Sequence, residues 1–328
     1  MKKILLIGGG GYVGTAITDF FLKENIALNV LDNFIYNHKA AIKKFISNKN
    51  YQLIEGDFTD LKKLDLALND VTDVVLLGGL VGDPITKKYP TLNQKYNIDG
   101  IKDCINQLKN KRINKLIFVS TCSNYGIIPN NAFANEEYEL KPLSLYAKAK
   151  VEIENFIQKN SYKFDFETIT LRFATAFGVS ERMRFDLTVN EFTLELLKNK
   201  ILEVYDPDTW RPYCHVQDFA RIILKVLMTK SGELNNQIFN CGSNSNNFTK
   251  RNIIEMIRSK IDNVKVNFVE GDTDLRNYRV DFTKLEKKFL FKFNFNVSDG
   301  IQEIIDNKNL FLNREKKFFG NYEINEKN

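Results

Sequence analysis

Histidine and cysteine are scarce in this chain of 328 residues, and most of what their scarcity excludes is catalytic or metal chemistry. His38 and His215 are the two histidines, and His215, beside Val216 in a strand-like run, reads as a satisfied structural residue rather than a base. The four cysteines, Cys104, Cys122, Cys214 and Cys241, stand far apart without the spacing of a metal site, so no metal is expected. Unpaired cysteines also fit a reducing, cytoplasmic setting. No apolar run is long enough to span a bilayer, so no membrane partner is expected. The four apolar residues Ile4–Ile7 fall short of the roughly 7–15 that a secretory leader needs. Internal repeats and low-complexity linkers are missing. Lys and Arg exceed Asp and Glu by 47 to 41, a net charge of +6. That excess is spread along a chain rich in Lys, Asn, Ile and Phe instead of forming a stripe, which speaks against a nucleic-acid partner. The length suffices for one large or two smaller domains.

What is present begins at the first residues. Ile4–Ile7 is a short, fully apolar run, as in a strand buried on both faces. Gly8, Gly11 and Gly14 follow at every third position, leading into a helical pattern over Thr15–Lys23. Glycines there let the backbone turn tightly and approach a pyrophosphate, and a helix N-terminus offers N–H groups and a positive dipole end. Further β-rich runs fall at Ala27–Leu31, Tyr51–Glu55, Val74–Leu77, Leu116–Ser120 and Phe166–Phe173. Helical patterns at Lys39–Ser47, Leu61–Leu68, Tyr96–Lys109 and Leu145–Asn160 alternate with them. This alternation predicts a parallel sheet covered on both faces, with ligands at the carboxyl ends of its strands. Beyond residue 175 the pattern loosens into helices near Asp186–Asn199, Asp218–Met228 and Lys250–Ile261, as in a smaller binding lobe. Residues 313–328 are polar with a few aromatics and read as a loosely attached tail.

Each predicted strand end carries a candidate residue. Asp32 closes the second, where an acid can accept hydrogen bonds from an adenosine ribose and repel a 2′-phosphate. With Asn33 next and no Arg beside it, Asp32 favours NAD over NADP. Asp57 and Phe58 follow the third strand, and Asp57 is a candidate for the adenine amino group. Gly78, Gly79 and Leu80 follow the fourth, small enough to let backbone approach a cofactor. Thr121, Cys122, Ser123 and Asn124 follow the fifth. Tyr146 and Lys150 lie one turn apart on one helix face, where the ammonium would favour phenolate and lower the phenol toward the range of a general base.

Taken together these motifs resemble the extended short-chain dehydrogenase/reductase family, in its NAD-dependent nucleotide-sugar epimerase/dehydratase branch, from Met1 to about Phe291. The resemblance rests on the glycine loop, Asp32, Gly56-Asp57, Asn97-x-x-Gly100, Ser120-Thr121 with Tyr125-Gly126, and the Tyr146/Lys150 pair. Trp210–Asp218 looks like the family's Arg-x-x-x-His-Val-x-Asp segment, and Asp274-Leu-Arg276 like its late arginine motif. It implies a Rossmann doubly wound sheet with a smaller C-terminal substrate-binding lobe. The NAD domain would be 1–175, with 212–242 returning to it, and the lobe 176–211 and 243–312. NAD would lie against Gly8, Gly11, Tyr12, Val13, Gly14, Asp32, Asn33, Asp57, Phe58, Gly78, Gly79, Leu80, Asn97, Tyr146 and Lys150. Thr121, Tyr146 and Lys150 would be catalytic. Ser123, Asn124, Thr175, Arg184, Asn190, Tyr205, Arg211 and Arg276, with Thr121, would meet a nucleotide-diphosphate sugar, Tyr205 stacking on its base and the two late arginines clamping its diphosphate.

Departures from the family pattern bear on the reaction. The 4,6-dehydratases carry Asp-Glu after the strand-end Thr, whereas Cys122 and Ser123 stand here, so dehydration ranks low. Cys122 invites comparison with 3,5-epimerising relatives, but a thiol just past a buried strand reads first as a packed hydrophobe. Thr175 replaces an Asn that many relatives carry. The expected activity is NAD-dependent oxidation at C4 of a nucleotide-linked hexose or heptose, within a 4-epimerase cycle or as a dehydrogenase releasing the 4-keto sugar. A non-enzymatic NAD sensor ranks below both. The resemblance also implies a homodimer built on the helices Tyr96–Lys109 and Leu145–Asn160, and a role in surface polysaccharide assembly.

Overall fold

The computed structural model describes residues 2–129, 132–271, 276–312 and 319–324. Its strands are β1 (Lys3–Ile7), β2 (Ala27–Asp32), β3 (Tyr51–Glu55), β4 (Asp73–Leu76), β5 (Lys115–Thr121), β6 (Glu167–Phe173), β7 (Thr175–Phe177), β8 (Ile201–Tyr205), β9 (Trp210–His215), β10 (Gln237–Cys241), β11 (Asn247–Thr249) and β12 (Lys265–Val269). Seven of them form one sheet in the order β10-β6-β5-β4-β1-β2-β3, parallel throughout. The apolar runs owe their continuity to burial on both faces. In β1, Ile4 and Leu6 enter one core while Leu5 and Ile7 enter the other. β5 divides in the same way, Ile117 to the first core, Leu116 and Phe118 to the second. Helices Tyr12–Lys23 and Val216–Met228 cover the first face through Ile17, Phe21, Ile222 and Val226. Gly100–Leu108 and Leu145–Asn160 cover the second through Ile101, Ile105, Leu108, Ile153 and Ile157.

Strand order reverses between β1 and β4, so their carboxyl ends diverge and leave the crevice in which open α/β sheets bind ligands. A second layer stands over that crevice. The small sheet β11-β9-β7 and the pair β12-β8 pack with helices Thr188–Leu197, Lys250–Arg258 and Val297–Asp306 around a separate core of Phe177, Val189, Tyr213, Ile253, Ile257 and Ile301. Among the described residues, no helix is long and apolar enough to cross a membrane.

Three expectations need correction. Lys39–Phe45 is a 3₁₀ helix rather than an α-helix, because it has no capping side chain and only Ile42 and Phe45, three apart, to bury. The helix expected over Tyr96–Lys109 opens with a π turn at Lys95–Asp99 before Gly100–Leu108. Of its apolar stripe, Ile101, Ile105 and Leu108 enter the protein's second core, and Ile98 is buried beside them. The loose tail is corrected over its described part. Phe319 packs edge-on to Phe185 and Phe311, and Asn321 is buried and donates to Val81 O at 2.8 Å. Residues 313–318 and 325–328 lie outside the described residues.

Candidate active site

The glycine loop lies at the crevice. Gly8 adopts φ +83°, and a Cβ there would meet Gly78 Cα at 2.7 Å; a Cβ on Gly14 would meet Gly8 O at 2.5 Å. Both positions require glycine for β1, the helix and the β4 loop to close so tightly. Gly11 opens the helix Tyr12–Lys23 without a capping side chain, so first-turn N–H groups are available to a ligand. Asp32, 8 % exposed, accepts from Gly10 N at 2.9 Å and Phe34 N at 2.8 Å. A long cavity runs from Asp32, Asn33 and Phe58 past Gly8, Gly11–Gly14 and Gly78–Leu80 to Thr121, Ser123, Tyr146 and Lys150. It continues into a second cavity beneath the lobe, lined by Asp83, Arg184, Asp186, Arg211, Lys250 and Arg276. Thr175, Arg184, Arg276 and Asn321 line both.

At the junction stands the expected catalytic group. The helix carrying Tyr146 is capped by Ser144, whose Oγ accepts from Ala147 N at 3.2 Å. Thr121, at the end of β5, has Oγ1 3.0 Å from Ser123 Oγ and accepts from Ser123 N at 3.1 Å. Lys150, 2 % exposed, donates to Val119 O at 2.8 Å, with Nζ 4.7 Å from the Phe118 ring centroid and 5.8 Å from that of Tyr146. Burial pulls the Lys150 ammonium down to about 8, against the pull of Glu154. The phenol departs from the sequence expectation: burial pushes Tyr146 above its ordinary value, and the cation that counters this is Arg184. Below the site, Glu154 and Arg172 form a buried pair at 2.6 Å that fixes the helix to β6. Arg211 donates to the Arg276 backbone oxygen, and Arg276 pairs with Asp83 at 2.5 Å.

Several expected contacts are instead scaffolding. Asp57 turns from the cavity and accepts from Tyr96 OH at 2.8 Å and Thr59 N at 2.9 Å. Asn97, presented by the π turn, accepts from Leu80 N at 2.8 Å and donates to Leu80 O at 2.9 Å, so it shapes the Gly79–Leu80 loop without lining the cavity. Asn124 is fully buried on Glu154 and Ser120 rather than facing a substrate. Asn190, also fully buried, bonds Gly178 N, Tyr12 OH and Arg184 O, and so orders the arginine loop. Tyr205 lines neither cavity, and the hydroxyl of its exposed ring bonds Glu203. Cys122 donates to Arg172 O at 3.0 Å inside the core, and burial pushes its thiol up. His215 caps the helix Val216–Met228 by accepting from Gln217 N, and its Nε2 lies 2.9 Å from Glu303. Asp274 lies outside the described residues. Sequence reasoning missed Tyr36, Asp83, Arg182 and Asn321 as cavity residues. Asp83 follows the Gly78–Leu80 run by three residues and Arg182 precedes Arg184 by two, whereas nothing local marked Asn321.

Residues 4–242 match the model of the NAD dependent epimerase/dehydratase family. The chain belongs to that family. It is accordingly an NAD-dependent enzyme. An uncharacterized protein of Methanocaldococcus jannaschii is 26% identical to it, over 95% of this chain and 98% of the relative. The UDP-glucose 4-epimerase of Corynebacterium glutamicum is 25% identical, over 78% and 79% respectively. The UDP-glucuronic acid 4-epimerase of Bacillus cereus, solved with UDP-glucuronic acid and NAD, shares the fold with a TM-score of 0.85 at 23% identity, covering 94% of this chain and all of that one. The geometry of the family member fits its cofactor: a cradle that a Cβ at Gly8 or Gly14 would fill, an uncapped helix start, and an acid at the ribose end. Among the described residues, no cluster of His, Cys, Asp or Glu could hold a metal ion.

Proposed function

We propose that the protein oxidises the C4 hydroxyl of a nucleotide-linked sugar and re-reduces the ketone from the opposite face, a 4-epimerase cycle. One observation carries this reading: the Tyr146 phenol stands where the cofactor cavity opens into a second cavity that holds four cations, Arg184, Arg211, Lys250 and Arg276, against two carboxylates, Asp83 and Asp186. That surplus of positive charge suits a diphosphate, and arginine forks match phosphate oxygens. The fifth-strand residues favour this cycle over elimination, since Cys122 is sealed in the core and Ser123 is no acid.

NAD, held by the glycine loop Gly8–Gly14 and Asp32, would supply the hydride acceptor and donor for C4. Thr121 Oγ1 is a hydrogen-bonding partner for the C4 oxygen and sets its position. Tyr146, entering the cycle as phenolate, takes the proton of that hydroxyl as C4 is oxidised and, as the phenol so formed, gives it back as the ketone is reduced, so no net proton is released. A phenol held above its ordinary value favours the donating half, and the Arg184 guanidinium that pulls it down assists the accepting half. Arg211 and Arg276 anchor the diphosphate while the sugar turns between half-reactions, binding energy spent on position.

The test is product analysis by NMR with UDP-, GDP-, CDP- and dTDP-hexoses. A C4-inverted sugar is expected. A released C4-keto sugar with accumulating NADH would make the enzyme a dehydrogenase instead, and neither product from any nucleotide sugar would sink the proposal. Light scattering on the same preparation measures whether two copies associate.

A further inference from the structure

Two buried arginines of this protein, Arg172 and Arg184, come with carboxylates, and Arg182 departs from that. Arg172 reaches Glu154 through Nε and Nη2, and Arg184 reaches Asp186 in the same forked manner at 2.9 and 2.6 Å. Arg182 is 5 % exposed, yet its Nη2 donates to two neutral oxygens, Gly320 O at 3.0 Å and Asn321 Oδ1 at 2.7 Å. Its Nε is enclosed with no acceptor. Burial, and then the neighbouring Arg184, pull its guanidinium down to about 10, with Asp186, Tyr36 and Asp32 opposing from a distance. A buried cation held this way is costly unless an anion joins it.

Its surroundings indicate which anion. The Arg182 backbone N–H reaches Thr15 Oγ1, in the first turn of the helix that the glycine loop opens, at 3.4 Å. The guanidinium lies over Tyr36, 5.5 Å from the ring centroid. Arg182 lines the cofactor cavity beside Gly11, Tyr12, Val13 and Asp32, but not the second cavity, where Arg211 and Arg276 stand. We propose that Arg182 is a phosphate-binding residue for the diphosphate of NAD, supplied by the lobe and held to that task by the C-terminal Gly320–Asn321 segment. The proposal rests on NAD as cofactor and not on the sugar chemistry, so it is tested without any sugar. Asn321 is the positioning residue: Oδ1 takes an Arg182 donor, Nδ2 donates to Val81 O, and its backbone N–H meets Asp186 Oδ2 at 3.3 Å. The end of the chain thereby sets how firmly the cofactor is held.

The experiment is calorimetric titration of the full-length, cofactor-free protein with NAD, ADP-ribose and adenosine, the last without phosphates. R182Q removes the charge and keeps much of the shape. NAD and ADP-ribose should bind about tenfold to a hundredfold more weakly, the range of a lost charge-assisted hydrogen bond, while adenosine changes by less than about twofold. N321D is the second variant, giving Arg182 a carboxylate in place. It should raise the melting temperature of the cofactor-free protein and weaken NAD and ADP-ribose without weakening adenosine, a combination that a merely structural role does not produce. Unchanged NAD affinity in folded R182Q, or an equal loss for adenosine, would overturn the assignment. If R182Q fails to fold, N321D decides alone: NAD affinity equal to wild type would overturn it.

Discussion

Lys150 is held where its charge is opposed, and replacing it with methionine measures by how much. The side chain is 2 % exposed, donates to the single acceptor Val119 O, and is pulled from 10.5 to about 8 by burial. A shift of that size corresponds to about 3 kcal/mol between the two protonation states. The sign follows from which state binds the proton. Between pH 8 and 10.5 the unfolded chain keeps the lysine proton that the folded chain has released, so folding becomes more favourable as pH rises. Below pH 8 both states are charged and the full cost is present. K150M has no such group. Relative to wild type it should therefore be most favoured below pH 8 and lose about 3 kcal/mol of that advantage by pH 10.5. Methionine also leaves Val119 O without its donor, a cost of about 1–3 kcal/mol that does not vary with pH. The net effect at pH 7 is accordingly near zero to modestly stabilising, and the slope with pH is the diagnostic. Urea unfolding of cofactor-free wild type and K150M at pH 7, 8, 9 and 10 reads it. A stability difference that stays constant across that range would refute the reasoning, because it would mean that the lysine is as easily charged folded as unfolded.

Three further outcomes are expected. Tyr146→Phe should lower turnover by about a hundredfold or more while NAD binding by calorimetry stays unchanged, since the phenol oxygen carries the proton and not the cofactor; unaltered turnover would remove Tyr146 from the mechanism. Asp32→Ala should weaken NAD and narrow its lead over NADP, measured as the ratio of the two dissociation constants; a variant that still rejects NADP would show that another group discriminates. Asp83→Asn should lower KM for the nucleotide sugar about fivefold at unchanged kcat, because the Arg276–Asp83 pair, partly exposed and worth about 1 kcal/mol, competes with the substrate diphosphate; an increase in KM would show that Asp83 itself grips the substrate.

The sheet and its crevice were legible because their causes are local. A strand buried on both faces must be apolar at every position, as Ile4–Ile7 is, and the tight closure at Gly8 and Gly14 admits no side chain. Tyr146 and Lys150 were legible for a similar reason, sharing a helix face that the spacing alone defines. Asn97, Asn124 and Asn190 misled because a polar residue near a site can equally serve the loops that build it. Each of their side chains is engaged by the protein itself. Tyr205 lies off both cavities for a different reason: its segment was foreseen as part of a lobe, but which way a short edge strand turns its aromatic depends on pairing with β12, sixty-four residues beyond Ile201 in register. The Lys39–Phe45 segment shows the limit of periodic patterns, since two apolar residues three apart serve a 3₁₀ helix as well as an α-helix.

Asn321 marks the other limit. Its side chain reaches Val81, 240 residues earlier, and Arg182, 139 residues earlier, so no window of sequence contains the contact. What draws the segment there is apolar: Phe319 completes a small core with Tyr12, Met183, Phe185 and Phe311 at the junction of sheet and lobe. Phe319 O then accepts from Phe185 N at 2.6 Å, which locks the segment beside the arginine loop. The polar contacts of Gly320 and Asn321 are a consequence of that docking, and they fall on the one arginine of the Arg182–Arg184 pair that has no carboxylate. A chain end that packs through a phenylalanine and supplies only neutral oxygens to a buried cation leaves that cation oriented but not neutralised. The same packing that makes the tail part of the fold thus keeps a positive charge directed at the cofactor cavity.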